Sequence, residues 1–109
     1  MNCISIVIPA YNEKENLFEL IKQINFYIDK KYKYEIYLVD DSSTDGTEDL
    51  INSLSVAKHN ITYYKNSKNM GQSFSIYIGI KNSKYNTIVT LDADGQNDPA
   101  DIEKLLKIY

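Results

Sequence analysis

The chain has 109 residues, 43% of them hydrophobic, and a net charge of −3, which supports one small domain with a real core rather than two. Acidic and basic residues are interspersed along its length, excluding a nucleic-acid-binding footprint. All 12 basic residues are lysines, so no bidentate guanidinium clamp exists for a phosphate, and any phosphate bound here calls for a metal ion as counter-charge.

The first predicted element is a strand at residues 3–8, Cys-Ile-Ser-Ile-Val-Ile, a continuous β-branched run of the kind covered on both faces. Its Cys3 is the only cysteine, which excludes an internal disulfide and points to a reducing, cytoplasmic setting. No basic segment precedes the run, and it is too short for a signal peptide or a membrane span. Pro9 is expected to stop the strand. Asn12 and Glu15 then read as an N-cap and capping-box pair, opening a helix whose apolar face is Leu17, Leu20, Ile21, Ile24 and Ile28.

A second strand is predicted at 34–39, ending in the polar turn Asp40-Asp41-Ser42-Ser43-Thr44-Asp45-Gly46-Thr47. The helix that follows carries Leu50, Ile51 and Leu54 on one side. The third strand is short, 61–64, and a loop containing Asn69 and Gly71 leads to a helix at 72–82. Strand four is expected at 87–91. Beyond it, Asp98 caps a last helix with Pro99 in its first turn and Ile102, Leu105, Leu106 and Tyr109 on its apolar face. Strand and helix thus alternate four times, which implies one domain over residues 1–109: an α/β, Rossmann-like open parallel sheet with right-handed crossovers and helices on both faces.

Strand four ends in Asp92-Ala93-Asp94-Gly95-Gln96. Side chains at i and i+2 of a strand point the same way, and Gly95 lets the chain turn directly afterwards. Asp92, Asp94 and the Gln96 amide can therefore converge on one cation, and hard oxygen ligands suit Mg2+ or Mn2+. The competing structural reading is a strand end, a polar turn and a helix cap. Topology gathers the polar motifs, because ligands of open parallel sheets sit beyond the carboxyl ends of the strands where strand order reverses. An order three-two-one-four puts the Pro9 loop beside the Asp92 loop, with all four carboxyl-end segments on one rim.

The segments Ile8-Pro9-Ala10-Tyr11-Asn12-Glu13, Val39-Asp40-Asp41-Ser42-Ser43-Thr44-Asp45-Gly46-Thr47 and Leu91-Asp92-Ala93-Asp94-Gly95-Gln96-Asn97-Asp98-Pro99 resemble the three N-terminal signatures of glycosyltransferase family 2, which has the GT-A fold. Asp-Ala-Asp-Gly-Gln followed by Asp-Pro is most similar to its polyprenyl-phosphate branch, the dolichyl-phosphate mannosyltransferase-like enzymes. The resemblance implies an inverting, metal-dependent transferase that takes a sugar from a UDP- or GDP-sugar donor and passes it to a polyprenyl-phosphate acceptor at a membrane surface. It implies that Pro9, Ala10, Tyr11 and Glu13 line the nucleoside site and that Asp40 contacts the base. Asp92 would approach the ribose or the metal, with Asp94 and Gln96 as further ligands of Mg2+ or Mn2+. Family members place the acceptor site and any catalytic base C-terminal to the metal motif, so the chain is expected to be the N-terminal, donor-binding half of a GT-A domain. An open sheet edge would favour homo-oligomers, and the full-length protein would be cytoplasmic and membrane-associated.

Other residues have simpler readings. Asp41 and Asp45 are expected to hold the second loop through backbone amides. Glu13 either favours the helix dipole or binds ligand. His59 reads as a surface residue, and Gly71 as a turn glycine of positive φ. The strand followed by Asp-x-Asp-Gly also fits a phosphatase of the haloacid dehalogenase type, with Asp92 as nucleophile and Asp94 as acid. Gln96 in place of the usual Thr or Val, and the three βα units that precede the motif, weigh against it. A non-catalytic nucleotide-binding fragment is the other alternative. Dinucleotide binding is excluded, since the first turn has no Gly-x-Gly-x-x-Gly.

Overall fold

The computed structural model describes residues 2–28, 31–57 and 60–93. In chain order the elements are β1 (Asn2–Ala10), α1 (Lys14–Ile28), β2 (Tyr32–Asp40), α2 (Thr47–Ala57), β3 (Ile61–Lys65), α3 (Gln72–Asn82) and β4 (Thr87–Thr90). The four strands form one parallel sheet in the order β3-β2-β1-β4. This is the order expected from the sequence. The last expected helix, with Asp98 and Pro99, lies outside the described residues, as does His59.

Parity along the strands divides the molecule. Even-numbered residues Ile4, Ile6, Ile8 and Ala10 of β1 and Ile36 and Leu38 of β2 face one way, where they pack with Leu17, Leu20, Ile21, Ile24 and Ile28 of α1 and Ile51 of α2. Those five α1 positions are the ones marked out by helical spacing, and each is buried. Odd-numbered Val7, Tyr37 and Val39 face the other way, beneath Ile78 of α3. Here the approach is closer. A Cβ on Gly79 would stand 2.3 Å from Val7 Cγ1, so α3 lies directly on β1 only because that helix position has no side chain.

Two local expectations are corrected. Pro9 does not end the first strand, which continues through Ala10 with Pro9 opposite Val39. The Val7 carbonyl accepts from the Leu91 amide at 3.0 Å, so two residues on, the Pro9 nitrogen faces the β4 side. The β1–β4 ladder has run out there, and the missing N–H costs no bond. Nor does Asn12 cap α1. Asn12 has φ 52, and its side-chain oxygen accepts from the Thr44 amide at 2.8 Å. The free Lys14 amide at the start of α1 donates instead to Asp45 Oδ2 at 3.1 Å. The cap thus comes from the loop after β2, a pairing that no local sequence pattern encodes.

Candidate functional site

The loops after β1 and β2 are laced together. The Asn12 amide donates to Ser43 Oγ at 2.8 Å, which joins the Thr44 to Asn12 and Lys14 to Asp45 bonds in tying one rim loop to the next. Both loops pass through the left-handed region at a residue other than glycine, Asn12 at φ 52 and Ser42 at φ 66. Such positions cost on the order of 1–3 kcal/mol and persist where the surroundings determine them. Asp45 also accepts from the Thr47 amide and hydroxyl. Desolvation raises its pKa, but the bonds from Thr47 and Lys14 outweigh it and hold the carboxyl below the usual range.

Adjacent acids at the end of β2 take opposite faces. Asp40 continues the even series and is 0% exposed. Its Oδ1 accepts from the Ser43 amide at 2.9 Å, and its Oδ2 from the Tyr63 hydroxyl at 2.5 Å. Burial, and then this bond to Asp40, push the Tyr63 phenol well above its ordinary pKa. Asp41 continues the odd series toward α3. Its Oδ1 accepts from Asn66 Nδ2 at 2.9 Å and the Met70 amide at 2.6 Å, and its Oδ2 from the Gly71 amide at 2.9 Å. Desolvation alone would raise the Asp41 pKa, but those three donors together hold it below the ordinary carboxylate value. Asp41 therefore stays ionised and fixes the entry to α3. Gly71, at φ 94, makes the turn that presents its amide and that of Met70 to the same carboxylate. The expectation that backbone amides bind Asp41 and Asp45 to hold the second loop is met at Asp45 through the Thr47 amide; Asp41 also takes backbone amides, but those of Met70 and Gly71 at the entry to α3.

These elements enclose a cleft of about 240 Å³ lined by Pro9, Ala10, Tyr11, Glu13, Asp41, Gln72, Ser75, Asp92 and Ala93. It lies at the β1/β4 boundary, where strand order reverses. Pro9, Ala10, Tyr11, Glu13 and Asp92, five of the six residues singled out for donor binding, line it. Asp40 does not: it lies behind the wall with both oxygens engaged, and the acid of the pair that lines the cleft is Asp41. Alternation marks this division, because the buried run Ile36, Leu38 fixes position 40 to the core face and position 41 to the opposite one. Gln72 and Ser75 also line the cleft without having been singled out. The spacing of Ser75 and Gly79, four apart and both buried, is the small-residue signal that could have marked Ser75; Gln72 has no such signal.

Asp92 is exposed, and its Oδ1 accepts from Gln72 Nε2 at 2.8 Å. Asp94 and Gln96, the other expected metal ligands, lie outside the described residues. Glu13 serves α1 through its backbone, its carbonyl accepting from the Leu17 amide at 2.8 Å, while its carboxylate accepts from Asn16 Nδ2 at 3.1 Å. Among the described residues no helix is long and apolar enough to cross a membrane.

An open parallel sheet with its cleft at the reversal of strand order defines a Rossmann-like α/β domain. The glycosyl transferase family 2 model matches residues 5–109, and the chain belongs to that family. An undecaprenyl-phosphate 4-deoxy-4-formamido-L-arabinose transferase of Pseudomonas fluorescens (strain SBW25) is 37% identical over 98% of this chain and 32% of its own length. The chain thus spans about a third of the curated relatives it matches. Among solved structures, S. aureus TarS 1-349 in complex with UDP-GlcNAc has a TM-score of 0.78 and 21% identity, covering 99% of this chain and 30% of that one. The mannosyltransferase PcManGT from Pyrobaculum calidifontis, in complex with GDP-Man and Mn2+, has a TM-score of 0.74 and 23% identity, covering 84% and 27%. These likenesses establish the fold, the Rossmann-like part of a GT-A fold.

Proposed function

We propose that the chain forms the donor-binding part of an inverting, metal-dependent glycosyltransferase that takes a sugar from a nucleoside diphosphate and passes it to a polyprenyl phosphate. Family membership supports the reaction class, and the relatives named for undecaprenyl phosphate support the acceptor. The single observation that carries the reading is the cleft at the β1/β4 boundary, lined both by Asp41, whose carboxylate three donors hold, and by Asp92 of the expected metal motif.

Asp41 spends one acceptor position on each of three donors, leaving room on Oδ2 for one more hydrogen bond. A fixed anion of this kind selects a ligand N–H, such as the imide of uracil or the N1–H of guanine. In this reading Asp41 takes the base contact first assigned to Asp40, and Asp40 holds the loop behind it. Pro9, Ala10 and Tyr11 form an apolar wall for the base, with Glu13 at its edge. Asp92 approaches the ribose or the metal. The donor set of Asp92, Asp94 and Gln96 is all hard oxygen, which fits Mg2+ or Mn2+. A divalent ion held there would supply counter-charge to the diphosphate leaving group, a need made sharper by the absence of arginine. The acceptor phosphate is already an anion near neutral pH, so its attack on the anomeric carbon asks little of a general base.

Calorimetric titration with UDP, GDP and NAD, each with and without Mn2+, tests the reading. UDP or GDP should bind more tightly with Mn2+ than without, and Asp94→Ala should cost that component about one to three decades of affinity. Preference for NAD, or binding indifferent to the metal, contradicts it. The phosphatase alternative predicts an aspartyl adduct on Asp92 with beryllium fluoride, and mass spectrometry should find none.

A further inference from the structure

We propose that Gln72 is a positioning residue that fixes the carboxylate of Asp92 for its work in the cleft; this rests on the functional reading above. Asp92 stands exposed just beyond β4, where the orientation of its carboxylate depends on the groups that bind it. Gln72 Nε2 reaches it across the cleft at 2.8 Å from Oδ1. The value of that bond depends on how well Gln72 is itself held. It is the first residue of α3, and the two amides before it, Met70 and Gly71, are bound by Asp41. Asp41, 5% exposed, is in turn bound by Asn66, which is 2% exposed and also donates to Ser75 Oγ at 3.0 Å. Ser75 Oγ closes the turn by donating to the Gly71 carbonyl at 3.1 Å. Buried bonds at Asn66 and part-buried bonds to the Met70 and Gly71 amides thus fix the start of α3 against the end of β2, and Gln72, next in the chain, carries that anchorage to the exposed acid beyond β4.

The residue type matters. A lysine here would bring a positive charge against any cation held by Asp92. Glutamine donates an N–H to one carboxylate oxygen without adding charge, which is the way outer partners orient metal-binding carboxylates. The same contact links Asp41 and Asp92, both of which line the cleft. The acid that holds the start of α3 is the one assigned to the base, and the residue α3 presents first is the one that orients Asp92.

The test is a pair of measurements on the 109-residue chain. In calorimetry with UDP or GDP, Gln72→Ala should weaken the Mn2+-dependent component by roughly tenfold, the lower end expected for an outer partner at an exposed site. Because Gln72 also lines the cleft, metal-free nucleotide affinity should fall by clearly less than the Mn2+-dependent component, and the melting temperature should stay unchanged. An unchanged Mn2+-dependent component overturns the proposal, and an equal loss with and without metal overturns it too, by making Gln72 a direct ligand contact. If the unaltered chain shows no Mn2+-dependent binding, the functional reading fails instead. The tether is then judged by the Gln72 side-chain amide resonances in metal-free protein, which should shift on Asp92→Ala and contradict the tether if they do not.

Discussion

The acids that end β2 and the acid that ends β4 share one rim, yet their surroundings differ in kind. Asp40 and Asp41 are 0% and 5% exposed and accept five hydrogen bonds between them, three from backbone amides. Asp92 is exposed and is approached by a side-chain amide from another element. A buried carboxylate must be fully paired, because desolvation without partners costs several kcal/mol, so the β2 acids are committed to holding the loop and the start of α3. An exposed carboxylate carries no such debt and can exchange its partners for a cation. Acidic rim residues thus divide between fold and ligand by burial, with Asp41 alone standing in both groups.

That division orders the expected effects of substitution. Asp40→Ala strands the Ser43 amide and the Tyr63 hydroxyl and should cost about 2–4 kcal/mol in chemical denaturation. A loss below about 1 kcal/mol would erase the contrast with Asp92. Asp41→Asn removes the charge and turns an amide toward backbone donors, for an expected loss of about 1–3 kcal/mol together with weaker nucleotide binding. Asp45→Ala uncaps α1 and should cost about 1 kcal/mol. Asp92→Ala should change stability by less than about 0.5 kcal/mol while removing metal-dependent binding.

The same contrast appears in acid. Asp41 and Asp45 have folded-state pKa values below the ordinary carboxylate range, so unfolding takes up protons at these two sites when the solution is acidic. Their stabilisation is complete above the unfolded-chain value of about 4 and is lost as pH falls through the lower folded values. Denaturation midpoints followed from pH 5 downward should fall in the unaltered chain. In Asp41→Asn that fall should be shallower, and an unchanged slope would detach Asp41 from the loop.

Much of this was legible in the sequence because its signals were strong and local. Continuous β-branched runs and the 3.6-residue spacing of α1 marked the strands and the buried helix face, and the alternation of strand and helix marked the parallel sheet. Gly71 could be read as a positive-φ turn because its conformation is a property of the residue itself. The misreadings arose where the deciding partner is distant in sequence. Pro9 stays within β1 because β4 ends early, and Asn12 serves the β2 loop 32 residues away rather than its own helix. Asp40 and Asp41 look alike in a linear string, and only the phase set by Ile36 and Leu38 separates the core acid from the cleft acid. Gln72 gave no signal at all, since its contact with Asp92 joins two elements that meet only once the sheet has formed.

The most direct test of the central claim, a metal-assisted nucleotide site at the β1/β4 boundary, is Mn2+-induced broadening of backbone amide resonances in the presence of UDP or GDP. Paramagnetic loss should fall on Tyr11, Gln72, Asp92 and Ala93, while Glu35 and Lys84 at the opposite end of the sheet stay sharp. Broadening centred on Asp45 and Glu48, or spread evenly over the surface, would contradict the account.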